Sequence, residues 1–226
     1  MKDNHKAYLA EAIATFALIF VGAGAILADS ITGKVGLLGI AFAHGLVLMC
    51  MVYATAHISG GHVNPAVTIG MWITKNIKTA KAFGYIVSQL IGATVAGFLL
   101  KAIFVTAPVS ANLGTPGLAS GVSFGAGVLI EAVLTFFLVF TIFGVAVDKR
   151  APAGIYGMAI GLVLTFDILV GGVLTGGSMN PARTFGPAVA SGFWLNHAVY
   201  WIGPIIGSIA AALAYNYLLL KRKKGE

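Results

Sequence analysis

The chain has 226 residues, of which 58% are hydrophobic and only 9% charged, with a formal net charge of +7. A water-soluble domain carries about a quarter charged residues, so this composition excludes an ordinary soluble enzyme or binding module and leaves a polytopic membrane protein as the expectation. The positive balance does not point to nucleic acid. Its basic residues gather in short runs between apolar stretches, at Lys75, Lys78 and Lys81, at Lys149 and Arg150, and at Lys221, Arg222, Lys223 and Lys224. That is the pattern of cytoplasmic loops that set topology.

In chain order, the polar start Met1 to Lys6 leads into an apolar segment too long for a signal-peptide core, which reads as a retained first span. Six stretches approach the roughly 20 residues a bilayer-crossing helix needs. They are Ala7–Ala28, Leu37–Ala56, Ala80–Leu100, Val122–Val147, Ala153–Val173 and His197–Leu220. Two shorter stretches, Pro65–Thr74 and Pro181–Ala190, can reach only halfway across and read as re-entrant half-helices. The distribution of Lys and Arg places both termini on the cytoplasmic side, with Lys34 and Lys101 opposite. Cys50, the one cysteine, excludes an internal disulfide and a cysteine metal cluster, and its apolar surroundings read as packing.

The chain repeats itself. Gly60-Gly61-His62-Val63-Asn64-Pro65-Ala66 returns as Gly176-Gly177-Ser178-Met179-Asn180-Pro181-Ala182, and Glu11-Ala12-Ile13-Ala14-Thr15-Phe16 returns as Glu131-Ala132-Val133-Leu134-Thr135-Phe136. Each half holds an odd number of spans, so the second lies upside down relative to the first. The expected fold is therefore an all-α membrane protein of six transmembrane helices plus two half-helices in an inverted repeat. It forms a single domain over 1–226, with repeats at about 7–101 and about 122–220.

Asn before Pro is a helix-start signal: Asn caps free N–H groups, and Pro at the first helical position forfeits no bond. The two half-helices should meet N-terminus to N-terminus near the midplane, with the Asn64 and Asn180 side-chain NH₂ groups free to face a lumen. Arg183, one turn after Asn180, shares that lumenal side, and an intramembrane charge is a functional candidate. Glu11 and Glu131 are buried carboxylates. No nucleophile, oxyanion arrangement or metal-ligand cluster accompanies them, so no enzyme, cofactor or metal is expected. Inverted repeats with broken helices also occur in secondary transporters, which would want an ionisable midplane site where this chain offers two amides.

These motifs, GGHVNPAVTIG at Gly60–Gly70 and GGSMNPARTFGPAV at Gly176–Val189 with the two Glu helices, resemble those of the aquaporin, or major intrinsic protein, family across nearly the whole chain. The resemblance implies a passive channel for water in which each copy holds a pore and four copies pack as a homotetramer. It implies that Glu11 and Glu131 hold the re-entrant loops, whose carbonyls at Gly60, Gly61, His62, Gly176 and Ser178 form a ladder of acceptors. It places His44, Ile168, Gly177 and Arg183 at the selectivity filter, a set similar to that of some plant tonoplast intrinsic proteins that pass ammonia as well as water. Those proteins can add a His from the third loop, and Gly114-Thr115-Pro116-Gly117 has none. Thr184, Ala188 and Tyr200-Trp201 resemble the water-channel branch rather than the glycerol branch, which stays as the alternative. Asp167 fits no family motif, and the polar His57 is unassigned. The polar, short termini suggest the plasma membrane of a microbe.

Overall fold

The computed structural model describes residues 2–220, so the basic tail from Lys221 to Lys224, used above to orient the chain, lies outside the described residues. Eight α-helices follow in order: α1 (Lys2–Thr32), α2 (Gly36–Ser59), α3 (Pro65–Ile73), α4 (Thr79–Ile103), α5 (Phe124–Ile142), α6 (Tyr156–Gly171), α7 (Pro181–Ser191) and α8 (Val199–Ala214). No strand occurs among the described residues. A 3₁₀ turn at Val109–Gly114 joins the halves, and α5 and α8 each run on into a π-helical turn, Phe143–Val147 and Tyr215–Leu219.

Five of these helices are long and apolar enough to cross a membrane. The sixth expected span is shorter: α6 covers only Tyr156–Gly171. Gly154, at φ +85, keeps the preceding loop out of the helix, and Gly172 to Thr175 follow in tight turns that lead into the re-entrant loop. Outward-facing side chains are apolar over much of the surface, including Phe83, Leu129, Phe137 and Ile206, which a protein in water would not expose but lipid accommodates. Cys50 is among the exposed residues of α2, so the expectation of a packed cysteine is wrong: the apolar run that suggested a core faces outward there.

Packing follows the repeat. Helix α1 packs on α4 and α2, and α5 packs on α8 and α6. The short α3 lies against α8, and α7 lies against α4, so each half-helix is held by the last long helix of the opposite half. Helices α2 and α6 cross where Gly45 meets Gly161: a Cβ on either would lie 2.5 Å from the other's carbonyl oxygen. Any larger side chain would push these two walls apart.

At one end the loops carry the basic residues. Arg150 donates to Asp148 through its main-chain N (3.0 Å) and Nε (2.9 Å), and to the Leu219 carbonyl at 2.9 Å. Tyr215 also donates to Asp148 (3.2 Å). These bonds from Arg150 hold the Asp148 carboxyl well below the usual carboxylate range. They tie together the two π-helical turns at that end. At the other end Lys101 donates to the Ala190 carbonyl at 2.9 Å, placing a cation at the C-terminus of α7.

Candidate functional site: the paired half-helix cavity

The two half-helices begin as their sequence requires. Asn64 is extended (φ −156), and its side-chain oxygen accepts from Ala66 N at 2.8 Å. Asn180 accepts from Ala182 N at 2.9 Å and from Arg183 N at 3.3 Å. Pro65 and Pro181 occupy the first helical position, and Ala66 and Ala182 are fully buried behind them.

The asparagine NH₂ groups are not both wholly free, a correction to the sequence reading. Asn64 Nδ2 donates to the Met179 carbonyl (2.8 Å) and Asn180 Nδ2 to the Val63 carbonyl (3.0 Å). One N–H of each amide thus stitches the half-helices together, and one remains. The carbonyls are presented by Val63 (φ 56) and Met179 (φ 52), non-glycine residues in the left-handed region. Such strain persists only where surrounding bonds over-determine it.

Those bonds come from the buried carboxylates. Glu11 accepts from His62 N (2.9 Å), Val63 N (2.7 Å), Ser59 Oγ (2.7 Å) and Gln89 Nε2 (2.8 Å). Glu131 accepts from Ser178 N (3.0 Å), Met179 N (2.7 Å) and Thr175 Oγ1 (2.6 Å). Tyr85 and Tyr200 donate to the carbonyls of Ser59 (2.5 Å) and Thr175 (2.7 Å) where each loop begins. With its N–H groups turned outward to carboxylate, each loop leaves the carbonyls of Gly60, Gly61, His62, Gly176, Gly177 and Ser178 without an internal partner among the described residues. Sequence reasoning missed Gln89 and the Tyr85 role. The recurrence of Tyr at matching places of the two halves was the available signal.

A cavity of about 610 Å³ runs along these groups. Its walls include Gly60, Gly61, His62, Asn64, Gly177, Ser178 and Asn180. His57, Lys81 and Tyr156 line it toward the basic end, with His44 and Arg183 also on its wall. Gly176 and Ile168 are not on its wall; Ile168 is 2% exposed and packs behind Gly177, where a Cβ would lie 3.4 Å from its Cα. His62 Nδ1 pairs with Thr68 Oγ1 at 3.1 Å.

Arg183 Nε donates to His44 Nε2 at 3.1 Å, and Nη1 donates to the Gly114 carbonyl at 2.8 Å. His44 Nδ1 lies 2.8 Å from the Ile40 carbonyl, so Nδ1 carries the proton and the ring is the neutral tautomer. The third-loop region that lacks a His therefore contributes a backbone carbonyl. Asp167 is 2% exposed, makes no hydrogen bond among the described residues, and has Glu131 as its electrostatic neighbour. It shares the stripe of α6 that holds Val163 and Gly171, facing α5.

Two half-helices joined across a lined cavity inside a bundle of membrane-length helices define a polytopic membrane protein of inverted-repeat type. The family model described as Major intrinsic protein matches residues 1–215, and the chain belongs to that family. It is 44% identical over 95% of its length to aquaporin TIP4-4 of Zea mays, covering 87% of that protein. It is 45% identical to the probable aquaporin TIP3-2 of Arabidopsis thaliana over 96% of this chain and 85% of that protein. The aquaglyceroporin structure from Plasmodium falciparum superimposes with a TM-score of 0.85 at 24% identity, covering 96% of this chain and 97% of the other, a likeness of fold alone. The expectation of a microbial plasma membrane is overturned: these relatives are plant aquaporins of the TIP type, which point to the vacuolar membrane of a plant.

Proposed function

We propose that the chain is a passive channel that conducts water, and ammonia beside it, while opposing protons and ions. The observation that carries this reading is the reciprocal bond of Asn64 and Asn180 to the opposite loop at the wall of one cavity. Each amide keeps one N–H for a passing solute, and both half-helices aim their positive ends at the same place. A water there gives its oxygen to the amides, so its hydrogens point away along the path in both directions. Exclusion of cations by half-helix dipoles is an established property of aquaporin-type pores.

In this reading the loop carbonyls replace hydration along the way, with Glu11 and Glu131 as their braces rather than a proton relay. His44, Gly177 and Arg183 form the constriction, with Ile168 setting the seat of Gly177 from behind. The neutral His44 ring and the absent side chain at Gly177 support an opening less uniformly polar than a strict water filter. The two repeats make one channel domain, and four copies pack as a homotetramer, each with its own path.

The test is a stopped-flow comparison of water, ammonia and glycerol in proteoliposomes. Faster osmotic shrinkage with a low activation energy and no proton conductance is expected, with ammonium pulses alkalinising the interior. A shrinkage rate equal to that of empty liposomes would overturn the channel reading. A saturable, ion-gradient-dependent flux would replace it with a transporter.

A further inference from the structure

Arg183 is held by two acceptors outside its own helix, His44 Nε2 and the Gly114 carbonyl. Both are seated on one step of α1. A Cβ built on Gly22 would overlap the His44 imidazole at Cδ2 and Nε2, the ring edge that receives the Arg183 proton, and would lie 2.9 Å from Cε1. One residue on, Gly114 leans on Ala23: a Cβ there would lie 2.8 Å from Ala23 Cβ. Gly22 and Ala23 are buried, and neither lines the cavity.

We infer that the Gly22–Ala23 step of α1 is a positioning element for solute selectivity: the missing side chain at Gly22 admits the His44 ring, and the ring and the Gly114 carbonyl together draw Arg183 to the wall. The inference rests on the constriction reading above. The ring cannot retreat further, because α1 stands behind it and the Ile40 carbonyl fixes Nδ1. A methyl group at position 22 must therefore drive it toward the cavity it lines. Arg183 Nε then loses its acceptor, and the guanidinium is released toward the same space. A narrower, more polar opening penalises ammonia more than water.

The experiment measures water and ammonia permeability per reconstituted copy for wild type, Gly22→Ala, His44→Ser and the double variant, with oligomeric state checked by size exclusion. Gly22→Ala is expected to lower the ammonia-to-water ratio about tenfold, equivalent to ~1.4 kcal/mol on the barrier. In the His44→Ser background the same methyl meets no ring, so the double variant should match His44→Ser alone. That comparison remains available if Gly22→Ala by itself does not fold, and recovery of folding in the double variant would support the contact. A Gly22→Ala channel with the wild-type ratio, beside a His44→Ser channel with an altered one, overturns the role of Gly22 and leaves the constriction standing. So does a double variant whose ratio departs from that of His44→Ser. If His44→Ser also leaves the ratio unchanged, the constriction reading itself fails.

Discussion

Replacing each loop-bracing carboxylate by its amide separates a brace from a proton relay. In Glu131→Gln the introduced oxygen can keep Thr175 Oγ1 and Ser178 N, but its NH₂ must then face Met179 N, which now donates to Glu131 at 2.7 Å. A buried N–H left facing a donor costs about 1–3 kcal/mol, and the charge assistance lost by the remaining bonds adds a similar amount. The expected loss is roughly 2–6 kcal/mol, and at about 2–4 °C per kcal/mol for a chain of this size the melting temperature falls by about 4–24 °C. Water permeability per copy falls with it, since Met179 carries the carbonyl that Asn64 holds. Glu11→Gln should lose a comparable amount. Its introduced NH₂ faces Val63 N and the NH₂ of Gln89, and turning the Gln89 amide over to accept from it gives up the bond from Gln89 Nε2 to Thr68 Oγ1 at 3.1 Å. The turned NH₂ would then sit where Gln89 Oε1 now has no partner among the described residues. Thermal unfolding in detergent and stopped-flow shrinkage on the same preparations check that both variants fall below wild type. A Glu131→Gln protein that melts with wild type and conducts water normally refutes the brace.

Arg183→Val removes the donor to both His44 and Gly114 and the positive charge from the cavity wall, so it should admit cations that wild type excludes. Ion-gradient dissipation in proteoliposomes reads this out, and no new leak would count against a lumenal Arg183. Asp167→Asn removes the charge from a buried carboxyl without a hydrogen bond, and should raise the melting temperature by about 2–4 °C, or ~1 kcal/mol. A lower melting temperature would contradict that account. Asp148 has its carboxyl held below the ordinary value of 3.8, so its contribution is complete above that pH and is lost only as pH falls below it. The gap in melting temperature between wild type and Asp148→Asn should therefore stay flat from neutral pH to about pH 4 and close under it.

What the sequence disclosed was local chemistry written twice. Asn-Pro encodes a cap and a first helical residue within two positions, and the lengths of Pro65–Ile73 and Pro181–Ser191 against a bilayer-spanning helix make them half-helices without tertiary information. The shortening of α6 was less visible, because Gly171 and Gly172 continue an apolar run that hydropathy alone cannot divide. The cross-bonds of the asparagines were hidden because they depend on left-handed Val63 and Met179, and no local rule assigns that conformation to an apolar residue. Gln89 and the Gly114 carbonyl were hidden for a related reason: each acts on a residue far away in the chain. The membrane of residence was misread because apolar spans satisfy any bilayer, and the short termini carried no physical constraint on which one.

The two halves also divide the labour in a way their likeness conceals. Residues that match across the repeat, such as Glu11 with Glu131 and Tyr85 with Tyr200, hold backbone in equivalent ways. Residues that do not match break the symmetry where a solute would be read. His62 pairs with Thr68, while at the matching place Ser178 pairs with Thr184 at 2.7 Å. One turn after each Tyr, Gln89 faces its carboxylate while Pro204 offers no donor at all. Arg183 has no basic counterpart in α3, and it is this unmatched side chain that His44 and Gly114 restrain. An inverted repeat by itself would make a path with equivalent ends. The difference between the two ends comes from the unmatched positions, so substitutions there should change which solute passes, and substitutions at the matched carboxylates should change whether the path exists.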